Sequence, residues 1–504
     1  MYNVLDYLEK SYKKDKNKIA VIEENNKLTY EEFINYSKSV GTLLREKDAF
    51  NEPIIIFMDK GINTLISFFG SVYSSCFYTL LNPTFPSERI YQIKGVLNSR
   101  FVITNKEYID IAKEYFDNDI IYDIDDIKNT KINEEILETS YYNHIDTDPL
   151  YINFTSGSTG IPKGVVISHR SVIDFIDRFT SLFDFKSDDI IANQAPFDFD
   201  VSVKDIYSSV AKGATLLIVP KSYFSSPAKL LDYLCDNNAT TLTWAVSALC
   251  LITTFHGLDY KVPTKVNKIL FSGEVMPLKH LNIWMEHLPN TMFVNVYGPT
   301  EITCNCTYHI IDKKREYDKI PIGKPFPNER VFLLNDKNEL IKDKNIVGEI
   351  CVAGSSLALG YFNNKEQTDK HFIQNPLINN YNELIYKTGD LGYFNDQDEL
   401  VFSGRVDFQI KYQGHRIELE EIEKKIIEVD SISRSCCIFD QEKEKLYGFY
   451  IGDLDKKELH VKLKEKLPVY MIPTRLIKLD EFPLTKNGKI DRKKLMTIKD
   501  DKHD

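Results

Sequence analysis

The chain has 504 residues, 43% of them hydrophobic, which is enough for large cores and more than one domain. Its 74 acidic residues outweigh 63 basic ones for a net charge of −11, so its electrostatics give no reason to expect nucleic acid or an anionic membrane. Its eight cysteines lack metal-finger spacing: Cys304/Cys306 and Cys436/Cys437 sit too close, which reads as reduced, mostly buried thiols.

The N-terminal MYNVLDYLEK lacks the basic start and apolar core of a signal peptide, so a cytoplasmic enzyme is expected. KIAVIEENNKLTYEEF reads as a strand, a turn at Asn25–Asn26, a short strand, and a helix capped by Thr29 with Glu32 three residues on. PIIIFM is a buried strand, GINTLISFFGSVYSS a helix, and CFYTLLN, RFVITN and DIIYDI are further strands. Leu150, Ile152 and Phe154 alternate as a strand and VVIS is another, so the loop NFTSGSTGIPKG joins strand to strand. DYLCDNNATTLTWA, VNKILFSGE and LNIWMEHLPNTMFVNVYG repeat the rhythm, and apolar strands separated by helices imply two doubly wound parallel sheets. No apolar run reaches membrane-spanning length. From about residue 320 short strands with turn signals (RVFLLNDKNEL, GEICVAG, DELVFSGRV) indicate a small β-rich unit. After Asp407 the charge density rises and RIELEEIEKKIIEVD forms an amphipathic helix, so the expected domains are 1–406 and 407–504.

The loop at 153–164 carries the first chemical signal. A Walker A loop opens a helix and ends in Gly-Lys-Ser/Thr, whereas Lys163 is followed by Gly164, so that reading fails. Glycines still let backbone N–H groups approach an anion, hydroxyls add donors, and one lysine supplies charge. A mobile surface loop is the alternative. Four more stretches follow in order: NVYGPTEIT, YKTGDLGYF, SGRVDFQIKYQGHRIELEEIE and PLTKNGKIDRKKL. Each has a plain structural reading. Asp390 can cap a turn, Glu301 can begin a helix, and Lys489 can be a solvated lysine in a basic tail.

Together the five stretches resemble the adenylate-forming superfamily of acyl-CoA synthetases, amino-acid adenylation domains and luciferases, over essentially the whole chain. The resemblance implies a large N-terminal domain and a small mobile α+β C-terminal domain. It also implies a reaction in which a carboxylate attacks the α-phosphate of ATP, pyrophosphate leaves, and the acyl group passes to a thiol. By matching positions, Thr155, Ser156, Gly157, Ser158, Thr159, Gly160 and Lys163 would hold the β- and γ-phosphates. In YGPTE, which contains Gly298, Tyr297 would stack on adenine, with Asn295 bonding its amino group. Thr300 and Glu301 would contact phosphate and Mg²⁺. Asp390 would accept from the ribose hydroxyls with Arg405 close by. Lys489 would bridge the substrate carboxylate and the α-phosphate, Asp407 would be the hinge, and Gly414 would line the thiol channel. Such residue types suit a reaction in which an anion attacks a more charged anion.

The segment APFDFDVSVKDIY is similar to amino-acid adenylation domains, whose matching aspartate, here Asp200, binds the substrate's α-amino group; capping of the following helix is its structural alternative. The matched pocket adds Val201, Lys204, Ser247, Leu270, Ser272, Val296, Cys304 and Asn305. Length and motifs look closest to stand-alone D-alanine–carrier protein ligases, although those have cysteine at the position of Ser272 and an apolar residue at that of Lys204. Lys204 is expected to snorkel out of the pocket or pair with Asp205 or Asp198, or else to grip a polar substrate side chain. No carrier segment is evident, so the acceptor is expected to be a separate phosphopantetheinylated carrier protein. A coenzyme A ligase for a small carboxylate and a non-catalytic nucleotide-binding relative are the alternatives.

Overall fold

A computed structural model describes residues 3–117, 120–157, 161–441, 443–484 and 490–501. The apolar runs Pro53–Phe57, Phe77–Leu80, Thr215–Ile218 and Lys268–Ser272 are strands with every residue buried, the pattern of parallel sheets covered on both faces. One sheet has nine strands in the order Lys324–Pro325, Thr307–Ile310, Met292–Tyr297, Lys268–Ser272, Thr241–Ala245, Ile190–Asn193, Thr215–Ile218, Ile19–Glu23 and Asn26–Thr29. Neighbours run parallel from Met292–Tyr297 through to Ile19–Glu23, and antiparallel strands close both edges. A seven-stranded sheet holds the strands Pro149–Thr155 and Lys163–Ser168 as neighbours. The β-rich part forms a separate antiparallel sheet of five strands between Glu329 and Arg405. This is the α/β architecture expected from the strand–helix rhythm.

The described residues pack as two compact units: Met1–Pro83, Leu97–Asn153 and Gly164–Val406 in one, and Thr84–Val96, Phe154–Lys163 and Asp407–Asp504 in the other. In the first, Trp244, Trp284, Leu242 and Phe271 anchor a core beneath the nine-stranded sheet. In the second, the amphipathic helix Leu419–Ile427 turns Leu419, Ile422 and Ile426 onto a core shared with Tyr450, Leu459 and Leu463.

Local chemistry at the first hairpin was readable with one shift. The turn falls on Glu24–Asn25, with Glu24 at φ 51°, and Asn26 already pairs with Glu23, so the expected Asn-Asn turn is corrected by one residue. The helix Tyr30–Glu46 begins with the full capping box: the Thr29 side chain accepts from the Glu32 N–H, and the Glu32 carboxylate accepts from the Thr29 N–H. Thr29→Ala should therefore lower stability by about 1 kcal/mol, seen as an earlier urea midpoint at unchanged m-value. An unchanged midpoint would show that the cap is redundant.

Candidate active site

The carboxyl ends of the parallel strands in the nine-stranded sheet position the residues expected to face the substrate. Phe271 pairs with Asn295, which sets Leu270 and Ser272 on one strand and Val296 on the next along a common face. Ser247 opens the helix Val246–Thr254 at the end of the adjoining strand. Asp200 and Val201 start the helix Val201–Lys212. Asp200 has helical backbone angles (φ −59°, ψ −28°) and its carboxylate makes no capping bond, which corrects the capping alternative.

Lys204 lies one turn further on and is only 1% exposed. Its Nζ donates to Asn305 Oδ1 at 3.0 Å and Ser272 Oγ at 3.3 Å, and it forms no ion pair with a carboxylate of the described residues. It neither snorkels nor pairs with Asp205 or Asp198, which corrects those expectations: the helix faces inward at this position, so the side chain has no path to solvent. Asp205 instead accepts from Asn193 Nδ2 at 2.8 Å and from the Thr243 hydroxyl. The Cys304 thiol donates to the Asp200 carbonyl, and burial pushes this thiol well up, so it stays protonated. Motif reading missed Tyr151. It is 1% exposed, its hydroxyl has no hydrogen-bond partner among the described residues, and burial, with Cys304 and Asp200 nearby, pushes it well up. Its only sequence signal was a period-two strand that it shares with ordinary core residues.

The strand Met292–Tyr297 runs on into the residues expected on the nucleotide side. Asn295 is buried and its Nδ2 donates to the Pro321 carbonyl at 2.9 Å, which orients Oδ1 as the remaining acceptor. The Tyr297 hydroxyl donates to Asp390 Oδ2, and Arg405 pairs with Asp390 Oδ1 across the antiparallel register Asp390–Arg405. Gly298 is required by close approach: an added Cβ would lie 2.5 Å from Asn305 Cα. Thr303 and Cys304 both adopt left-handed backbone (φ 49° and 72°), an uncommon conformation for side-chain-bearing residues that turns Asn305 back toward Lys204. Glu301, fully buried in the 3₁₀ turn Thr300–Ile302, accepts from the Tyr361 hydroxyl at 2.7 Å. Tyr361 was not singled out in the sequence, because 60 residues separate it from its partner.

In the second unit, Thr155 Oγ1 is buried without a hydrogen-bond partner among the described residues. Ser156 Oγ donates to the Arg416 carbonyl at 2.9 Å. A Cβ on Gly157 would fall 2.1 Å from the Ile161 carbonyl oxygen, so only glycine fits. Burial pushes the Glu421 carboxyl up, while Arg89 and the Gly157 N–H pull it back. Lys163 is buried, and Asp407 Oδ1 accepts from the Gln409 N–H at the start of the C-terminal segment. Gly414 sits at φ 80°. Ser158, Thr159, Gly160 and Lys489 lie outside the described residues.

This fold, with polar side chains gathered at the strand ends, is that of an adenylate-forming enzyme. Residues 8–362 match the family model of the AMP-binding enzymes, and the chain belongs to that family as an AMP-forming ligase of the adenylation-domain type. It is 31% identical over 499 residues to zwittermicin A synthase ZmaJ of Bacillus cereus, covering 96% of this chain and 93% of that one. It is 30% identical over 488 residues to tyrocidine synthase 3 of Brevibacillus parabrevis, a match covering 95% of this chain but only 7% of the relative's length. The Vibrio cholerae adenylation domain AlmE, solved with glycyl-adenosine-5'-phosphate, superposes with a TM-score of 0.86 at 20% identity over 98% of each chain. An NRPS protein containing adenylation and PCP domains superposes at 0.83 and 20% identity, over 99% of this chain and 84% of that one.

Burial raises Asp205 from an ordinary 3.8 to about 7. The folded state then holds a proton that the unfolded chain has released, so this group's contribution to stability is full below pH 4 and is lost as pH rises toward 7. Asp205→Asn should remove that slope. Thermal midpoints of wild type should fall relative to the variant between pH 5 and 8, and parallel curves would show that Asp205 is ionised throughout.

Proposed function

We propose that this protein adenylates an α-amino acid with ATP and passes the aminoacyl group to the phosphopantetheine thiol of a separate carrier protein. The observation that carries the reading is Asp200. Its carboxylate stands at the start of the helix that carries Lys204, in the pocket the resemblance implies; its carbonyl accepts from the Cys304 thiol, and its side chain makes no capping bond. A carboxylate in such a pocket selects an ammonium. A ligase for simple carboxylic acids, the coenzyme A alternative, has no use for it. Similarity to adenylation domains, one of them solved with an aminoacyl adenylate, supports the same choice.

The chemistry needs charge neutralisation and alignment. A substrate carboxylate oxygen bonds to the α-phosphorus as the bond to pyrophosphate breaks; the carrier thiolate then attacks the acyl carbon and AMP leaves. Thr155 through Lys163 would hold the phosphates, Asp390 and Arg405 the ribose, and Asn295 and Tyr297 the adenine. Mg²⁺, a hard cation that keeps several waters and favours carboxylate oxygen, would neutralise phosphate oxygens when bound, and Glu301 fits it as a single buried carboxylate oriented by Tyr361. Lys489 would draw the reacting carboxylate and α-phosphate together. D-alanine, the candidate the resemblance favours, fits the ammonium half of this pocket but offers nothing to Lys204. The described residues contain no helix long and apolar enough to cross a membrane, and a cytoplasmic setting is part of the proposal.

Two measurements test the reading. In amino-acid-dependent pyrophosphate exchange, Asp200→Asn should raise the amino-acid KM by about 10²-fold or more and leave the ATP KM unchanged, since one partner of a buried charge pair is lost. Activation of propionate by wild type in preference to every amino acid would refute the role of Asp200. Lys489→Ala should slow adenylation by about 10²–10³-fold yet spare thioester formation from a supplied aminoacyl adenylate. Equal damage to both half-reactions would remove Lys489 from the bridging role.

A further inference from the structure

Three other buried lysines of the described residues are matched with carboxylates. Lys268 meets Asp189 at 2.9 Å, Lys425 meets Glu88 and Glu428, and Lys499 meets Asp440. Lys204 is more deeply buried than any of these, yet its two described partners, Ser272 Oγ and Asn305 Oδ1, are neutral. An ammonium has three donors, so two acceptors leave one N–H with no partner among the described residues. An unpaired charge in a protein interior is costly, whereas methionine would fill the same volume at no such cost.

No carboxylate of the described residues pairs directly with Lys204: burial lowers its basicity, and the nearby Cys304, Asp205 and Asp200 only partly offset this. Asp205, its neighbour in sequence, points to Asn193 and Thr243 and is raised to about 7. Cys304 remains a thiol because burial pushes it well up. Asp200, one helical turn earlier, is the carboxylate assigned to the substrate ammonium. Filling the pocket with alanine would therefore neutralise Asp200 and leave Lys204 buried and alone. The buried Tyr151 hydroxyl, which also lacks a partner among the described residues, adds a second donor awaiting an acceptor in the same region.

We infer that the amino acid taken by this site bears a carboxylate in its side chain, the aspartate and glutamate class, held by Lys204 with Ser272 and Asn305 framing it. The inference rests on the amino-acid reading of Asp200. Such a substrate closes every charge. Its ammonium meets Asp200, its side-chain carboxylate meets Lys204, and its α-carboxylate is left to react. Cationic side chains would be repelled by Lys204, and amides would satisfy its hydrogen bond but not its charge.

The test is pyrophosphate exchange on the full chain with aspartate, glutamate, asparagine, glutamine and alanine, each as D and L forms, alongside propionate. One of the acids should exceed its own amide and alanine by about 10²-fold or more in kcat/KM. Lys204→Met, which nearly conserves volume, should lose about 10²-fold toward that acid and shift preference to an uncharged side chain. Preference of wild type for alanine or an amide overturns the inference while leaving the amino-acid reading intact. An acid preference that survives in Lys204→Met likewise overturns the role of Lys204. Exchange with propionate and with no amino acid defeats the amino-acid reading itself. The wild-type panel decides the substrate class even if the variant does not fold.

Discussion

Parallel strands force the chain to cross back over the sheet between each pair, so every strand ends in a loop on the same edge. In the nine-stranded sheet this gathers at one edge segments that are far apart in sequence. Asp200 follows the strand Ile190–Asn193, Ser272 ends Lys268–Ser272, and Asn295 through Glu301 continue Met292–Tyr297. A crevice outside the carboxyl ends of strands is where open α/β sheets place their ligands. The polar chemistry of the first unit depends on that constraint.

A site made of charges inside covered sheets must balance them. Much of this chain does so locally: Asp390 is held between Arg405 and Tyr297, and Lys268 is matched by Asp189. Around Asp205 the balance comes through protonation instead, because Lys60 reaches Asn193 rather than the carboxylate itself. Burial lowers Lys60 to about 8, with the charges of Asp205 and Glu23 partly offsetting it. Lys204 likewise meets only neutral partners and, at 1% exposed, is the most deeply buried lysine of the described residues.

Backbone geometry carries part of the specificity. Gly298 lets one segment pass against Asn305, and the left-handed pair Thr303–Cys304 reverses the chain so that Asn305 reaches Lys204. Thr303 is fixed in turn by its hydroxyl bond to the Ser356 carbonyl at 2.7 Å. Strain of this kind persists only where surrounding contacts over-determine it. The pocket wall and the nucleotide-side turn are thus one structure, so altering either should disturb both.

Periodicity and punctuation in the sequence were enough for the α/β class, the strands from Ile54 to Ser272, the β-rich change near residue 320 and the Thr29–Glu32 cap, since these depend on residues close together along the chain. The five motifs were enough for the superfamily, because glycines that permit close backbone approach, as at Gly157 and Gly298, leave a mark that spacing preserves. The direction of Lys204 was not legible: a lysine four residues after Asp200 can snorkel or turn inward, and only packing of the helix against the strands bearing Ser272 and Asn305 decides which. Tyr361 and Tyr151 were hidden for the same reason. A hydroxyl becomes a partner for Glu301, or is left without one beside Asp200, only when distant strands meet, and no local pattern encodes that distance.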